Sequence, residues 1–452
     1  MAVSRENQKR VIVAAVLLDL LAVSLVVPLL PARFRELGVS SKALGLVGST
    51  YSVAQIVGGL ALGALSDRAL GRKGLLLVNF VGAGVAYAIV GLPRATFEVL
   101  VLSRVVVGLC KQTMTASTAL VTELTEEGAE RALWIGRISS AAQVSWIAGQ
   151  SVGGYLNSFG DPRYPSAVAV GLYAFDFALV SAALPSAAAR ASAVAVAVAA
   201  APPEKEEEES FAARLRRTLF ANRAVAAVAA ARLALAFSNR AAAVTRQLYE
   251  LERWDLTRGD AAYLSSFKSL VGVFASWQLA GALTKRFGAP QLVRLAAAVA
   301  VGAALGEAVP ASAWRDVFHV PEALARRLPD VPVVDKALGD PSLLVYALVL
   351  FPLTAAGTQV ATIALRSTFT EAVPKTETAA ALACLDVLMS AVGVAAPLCG
   401  GLAFDGVPAP RQPLVAAKFH AAGLLVVLLC FPPFGAAKAP AASVEAEAKK
   451  DN

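Results

Sequence analysis

Apolar runs about 20 residues long recur along this chain from end to end, separated by short polar breaks. A helix rises about 1.5 Å per residue, so each run is long enough to cross the ~30 Å hydrocarbon core of a bilayer. Within lipid every backbone N–H and C=O must be paired by the chain itself, which leaves helices and closed β-barrels. Barrel strands would show about ten residues of alternating hydropathy. The runs here are unbroken and so predict helices, at 11–31, 43–65, 74–92, 96–121, 132–157, 164–185, 222–247, 261–283, 291–309, 342–365, 377–403 and 414–433. Composition points the same way: 57% of residues are hydrophobic, 16% are charged, and the mean hydropathy is +0.62. Soluble domains average about 45–50% apolar and about 25% charged. The expected fold class is an all-α membrane protein.

The polar segments exclude several functions. The net charge of +8 comes from basic residues scattered among short loops, which fits membrane topology and gives no nucleic-acid face. Placing both termini in the cytoplasm puts more Lys and Arg inside than outside, as the positive-inside rule requires. No cleavable leader pattern precedes the first run. Cys110, Cys384, Cys399 and Cys430 all fall in apolar runs, where they read as packing residues without disulfides. His319 and His420 stand far apart and support no metal site, and no nucleophile or phosphate-loop pattern supports an enzyme. No cofactor is expected. Asp176 and Glu307 are expected to reach an interface or a local partner rather than a substrate.

An acidic stretch, "PPEKEEEES", divides the twelve runs six and six. The expected organisation is an N-terminal bundle over 1–185, a cytoplasmic linker over 186–221, a C-terminal bundle over 222–434 and a tail over 435–452. The 310–341 segment reads as a long, proline-punctuated outside loop. The halves echo each other: "GALSDR" at 63–68 recurs as "GALTKR" at 281–286, and "GQSVGG" at 149–154 aligns with "APLCGG" at 396–401. Parallel six-helix repeats of this kind place a substrate site between them.

These motifs resemble the major facilitator superfamily. "GALSDRALGRKG" is similar to its loop signature between helices 2 and 3 through Gly63, Asp67, Arg68, Gly71, Arg72 and Lys73, with one extra residue at Ala69–Leu70. "LLDLLAVSLVVPLLP", with Asp19, Pro28 and Pro31, resembles the first helix of twelve-helix drug–proton antiporters of the tetracycline-efflux type. Arg104 and Gly108 match the R-x-x-x-G of helix 4, and the stretch around Lys111 looks closer to eukaryotic tetracycline-transporter-like orphan members. The antiporter signature of helix 5 has a proline where this chain has Gln150. The resemblance implies two pseudo-symmetric six-helix bundles and a secondary transporter that exports a small organic solute in exchange for protons. An uncoupled facilitator, or a receptor or scaffold on the same fold, are the alternatives.

The resemblance also assigns roles. Asp19 would carry the coupled proton, with Arg104 and Lys111 favouring its ionised form; a permanent structural ion pair is the other reading. Gln55, Arg232, Asn239, Arg240, Lys268, Gln278, Gln359 and Asp386 lie on helices expected to line or flank the cavity. Their excess of cations favours an anionic or zwitterionic solute. The loop signature would gate, with Asp67 against the start of helix 11. Gly59, Gly149, Gln150, Gly153, Gly154, Pro397, Gly400 and Gly401 mark close helix packing, either static or sliding between halves. Solute, protons and membrane lipid are the expected partners of a monomer; the plasma membrane and organelle membranes both remain open.

Overall fold

The computed structural model describes residues 4–66, 70–125, 129–157, 159, 161–185, 222–315, 332–373 and 378–431. The linker expected at 186–221, the tail, Asp67, Arg68 and His319 lie outside them. The described residues form twelve long helices and no strand. In chain order these are α1 (Arg5–Glu36), α2 (Ser41–Leu65), α3 (Gly71–Val90), α4 (Phe97–Leu124), α5 (Ala129–Asn157) and α6 (Arg163–Ala183). They continue as α7 (Arg223–Arg253), α8 (Arg258–Phe274, running on into Ala280–Phe287), α9 (Ala289–Glu307), α10 (Pro341–Phe369), α11 (Thr378–Phe404) and α12 (Ala409–Cys430). The 310–341 loop adds two short helices, Ala311–Arg315 and Pro332–Gly339.

Polar side chains at the breaks start several of the helices. Ser4, Ser40 and Asn222 each accept a hydrogen bond from an N–H of the first turn of α1, α2 and α7. Thr257 and Asp260 close a reciprocal capping box on α8. Among the described residues, ten helices are long and apolar enough to cross a membrane; of the twelve, α5 and α8 are not. Their polarity has a structural reason, because they pack on each other and place polar side chains along a cavity. π-Turns lie within α8 at Ala275–Leu279 and within α10 at Tyr346–Leu350, and three other helices are interrupted. A 3-10 turn at Val27–Leu29, holding Pro28, interrupts α1. Residues 243–245 interrupt α7, which then runs on to Arg253, past the expected end at 247. The helix expected without interruption at 96–121 is two pieces, Phe97–Cys110 and Thr113–Leu124.

Apolar packing gathers in separate cores. One is built from α1 to α6 around Leu76, Phe80, Tyr87 and Leu100, the other from α7 and α9 to α12 around Val293, Phe369 and Leu385. The halves meet through α2 on α11 and α5 on α8. Among the described residues, hydrogen bonds between them run from Lys42 to Asp405, Ser49 to Val394, Ser151 to Ser266 and Ser269 to Gln150. Towards the termini, an added Cβ at Gly63 or Gly136 would meet nothing within 4 Å. Among the described residues, the hydrogen bonds between the halves thus gather towards the end remote from the termini.

Candidate functional site

The first buried charge cluster lies inside the N-terminal core. Asp19 of α1 is 0% exposed. Lys111 Nζ donates to both of its carboxylate oxygens, and Asn79 Nδ2 of α3 donates to Oδ1 at 3.1 Å. The Tyr173 hydroxyl of α6 donates to the Asp19 backbone carbonyl at 3.3 Å. Lys111 Nζ stands 5.6 Å from the centre of the Tyr173 ring, which stacks on Tyr87 at 5.8 Å. The break in α4 takes part directly. Lys111 ends the first piece with non-helical backbone angles, and Gln112 N–H donates to Asn79 Oδ1 at 3.3 Å. One asparagine thus satisfies both the broken helix and the carboxylate.

Arg104 does not join this pair. Its guanidinium lies 5.3 Å from the centre of the Tyr87 ring, its Nε donates to Ser103 Oγ at 3.3 Å, and one terminal nitrogen is buried without a partner. The expectation that either cation could serve Asp19 therefore narrows to Lys111. Arg104 is held one aromatic ring away.

A second cluster, which sequence reasoning missed, lies in the C-terminal half. Arg246 of α7 pairs with Glu307 of α9, and Lys268 of α8 pairs with Glu250 of α7. Tyr346 of α10 donates its hydroxyl to Glu250 at 2.5 Å. Lys268 also stands 5.4 Å from the Tyr346 ring centre and 5.0 Å from that of Phe351. The Glu250 and Glu307 side chains are 1% and 3% exposed, so both are buried carboxylates with a cation each. Arg246 and Glu250 flank the expected end of helix 7 at 247, where charged residues draw no notice. Their i, i+4 spacing on a helix face was the available signal. Glu307, expected to reach an interface or a local partner, has that partner in Arg246 and also lines the cavity described next.

This cluster forms one wall of a cavity of about 630 Å³. From the N-terminal half, α5 lines it with Gln143, Trp146 and Gln150. From the C-terminal half come Asn239, Arg246 and Gln247 of α7, Ser265, Lys268 and Ser269 of α8, Glu307 of α9, Phe351, Thr354, Thr358 and Gln359 of α10, and His420 of α12. Amides and hydroxyls share the lining with small apolar residues such as Ala242, Ala300 and Ala304, two aromatic faces and three charges. Such a lining can grip a small polar solute through several directional bonds.

Of the cavity residues expected from sequence, Asn239, Lys268 and Gln359 line it. Gln55, Arg232, Arg240, Gln278 and Asp386 do not. Gln55 is exposed and its carbonyl accepts from Gln112 Nε2 at 3.3 Å. Arg240 Nη1 donates to the Met389 carbonyl at 3.4 Å. Arg232 is half-buried, within electrostatic reach of Asp386 and Arg366. Gln278 sits exposed in the π-turn of α8. In the loop signature, Gly71 adopts a φ of +65°, which favours glycine, and opens α3. Arg72 Nη1 donates to Ser66 Oγ at 3.3 Å, and Lys73 Nζ donates to the Ser181 and Leu184 carbonyls at 2.8 and 2.6 Å, tying α3 to the end of α6. Asp67 and its expected contact near 374–377 lie outside the described residues.

The packing motifs divide by position in a way that the repeat repeats. A Cβ on Gly149 or Gly153 would strike α1 at Ser24 or Leu25, and one on Gly400 would strike α7 at Ala241. These glycines seat α5 and α11 within their own halves. The intervening positions face across: Gln150 accepts from Ser269 of α8 at 3.0 Å, Gly154 lies against Gly259, and Pro397 and Gly401 lie against Gly45 of α2. Gly59 faces the Gln112 side chain of its own half. All four cysteines are free, and no metal cluster occurs among the described residues.

Known proteins place this geometry. The Major Facilitator Superfamily profile matches residues 12–324. The class C tetracycline resistance protein of Escherichia coli is 32% identical over 155 residues, covering 34% of this chain and 38% of that protein. Major facilitator superfamily domain-containing protein 10 of mouse is 27% identical over 183 residues, covering 33% of this chain and 40% of that protein. The chain thus spans well under half the length of these curated relatives. Among solved structures, the nucleoside transporter NupG superposes with a TM-score of 0.67 at 12% identity, covering 95% of this chain and 100% of that one. The human organic anion transporter MFSD10 superposes with a TM-score of 0.57 at 18% identity, covering 94% and 99%. At these identities the likeness speaks for the fold alone.

Proposed function

The chain belongs to the major facilitator superfamily, a family of multi-pass membrane transporters, and from that membership we propose that it exports a small organic solute in exchange for protons by alternating access. The observation that carries the coupling is the Asp19–Lys111 pair. A carboxylate able to titrate between four helices is unnecessary in a passive pore, and a charge inside the membrane marks a functional site by default. Taking up a proton would release Lys111 from Asp19 and alter how α1 and α4 pack. With the termini in the cytoplasm, an exported solute would enter the cavity from that side.

Arg246 and Lys268 on the cavity wall support an anionic or zwitterionic solute. The cation excess counted from sequence is smaller than expected, because Glu250 and Glu307 offset Lys268 and Arg246. A solute anion would have to compete with these carboxylates. An uncoupled facilitator is the second reading, favoured by Gln150: the helix 5 proline of the antiporters is absent and α5 runs without interruption.

Uptake into proteoliposomes under an imposed proton gradient, screening solutes grouped by charge, tests both readings. Asp19→Asn is expected to abolish gradient-driven accumulation while leaving solute exchange in place. Accumulation that persists in Asp19→Asn would remove Asp19 from the coupling. Transport indifferent to the gradient in the unmutated protein would favour the facilitator.

A further inference from the structure

Asp176 of α6 is 0% exposed, and neither carboxylate oxygen has a hydrogen-bond partner. It stands one helical turn after Tyr173, whose ring lies beneath the Lys111 ammonium and whose hydroxyl bonds the Asp19 backbone. Lys111 and Asp19 both lie within its electrostatic reach. The charged groups acting on Asp176 are thus Asp19 from α1 and Lys111 from α4, while α3 contributes the neutral Tyr87 stacked on Tyr173. Lys111 spends its bonds on Asp19 and leaves Asp176 with no donor.

An ionised carboxylate without a donor in such a place costs several kcal/mol, whereas a neutral acid costs far less. Two carboxylates beside one ammonium cannot both be balanced. We infer that Asp19, Asp176 and Lys111 form a two-carboxylate, one-lysine site that holds a single proton, carried by Asp176 in this conformation. Lys111 has two seats. When it moves from Asp19 to Asp176, an O–H bond breaks at Asp176 and one forms at Asp19, and the cluster keeps the same net charge. The break in α4 at Lys111–Gln112 gives the lysine the freedom to swing. Asp176 is thereby a positioning residue for Asp19, allowing it to take and release a proton without stranding a buried lysine. The inference deepens the proton-coupling reading, but it can be tested without any transported solute.

The test is infrared spectroscopy of the purified full chain at neutral pH, reading the C=O band of protonated carboxyl groups. Asp176→Asn is expected to remove a component of that band. Asp19→Asn is expected to remove the same component, because Asp176 then ionises to pair with Lys111. A spectrum unchanged by Asp176→Asn would overturn the inference, as would an Asp19→Asn variant that keeps the component. Yields of folded protein supply the second reading and guard against a variant that fails to fold. Asp19→Asn with Asp176→Asn leaves Lys111 with no counter-ion and is expected to cut folded yield more than about tenfold below either single variant. Adding Lys111→Met should restore it. A double variant that folds as well as Asp19→Asn alone would show that Asp176 never receives the lysine.

Discussion

Glu250 is the residue on which the C-terminal cluster turns, because it accepts from both Lys268 and Tyr346 while 1% exposed. Breaking a buried pair by removing one partner costs about 3–5 kcal/mol, chiefly through the charge left behind, whereas replacing both partners by apolar groups can be neutral. Glu250→Gln is therefore expected to lower the thermal midpoint of the purified protein clearly, and Glu250→Gln with Lys268→Met to recover most of the loss. Fluorescence-detected size-exclusion melting would check this; equal losses in the single and double variants would mean that Lys268 finds another partner. Asp19 and Lys111 were legible in the sequence because a charge within an apolar run has few explanations. Glu250 was not, because it lay three residues beyond the expected end of its helix. Asp176 was legible as a charge, but its burial against α1 rather than lipid depends on helix rotation, which the apolar pattern of α6 leaves open.

At the scale of elements, each of the twelve expected helices has its counterpart, and α4 is the one whose interruption carries chemistry. Its break at Lys111–Gln112 has no proline or glycine at the break itself, which is why hydropathy passed over it. The cause lies on α3, where Asn79 accepts the Gln112 N–H and donates to Asp19. A buried polar group stripped of its partner costs about 1–3 kcal/mol, so Asn79→Leu, which strands both groups, is expected to destabilise by at least that amount. Asn79→Asp keeps the acceptor for Gln112 but sets a second carboxylate against Asp19. Hydrogen exchange at the Gln112 amide distinguishes the roles: fast exchange in Asn79→Leu and protection in Asn79→Asp is the expected pattern. Protection in both would show that α4 breaks for another reason. The six-residue repeat was legible as a pattern, but the division of its positions between own-half and cross-half contacts needed the neighbouring backbones.

At the scale of the whole molecule, the two roles of the repeat make opposite predictions for similar substitutions. Gly400 packs against the Ala241 carbonyl within its own half, where a side chain would clash with backbone that the core holds in place. Gly45 instead faces Pro397 and Gly401 of the other half, with Gly401 Cα 2.7 Å from an added Cβ. A side chain at Gly45 can be accommodated by moving one half away from the other, because the cores on either side are separate. Gly400→Val is therefore expected to reduce folded yield. Gly45→Leu is expected to fold and to open the far end, shifting the population away from the state described here. The far end is read by a single cysteine at Ser269, which bonds Gln150 across the interface, in a background where the four native cysteines are replaced by alanine or serine. A membrane-impermeant thiol reagent applied from the far side should label it faster in Gly45→Leu than in the parent. Equal labelling in both, with Gly45→Leu fully folded, would mean that the α2–α11 contact does not hold the halves together at that end.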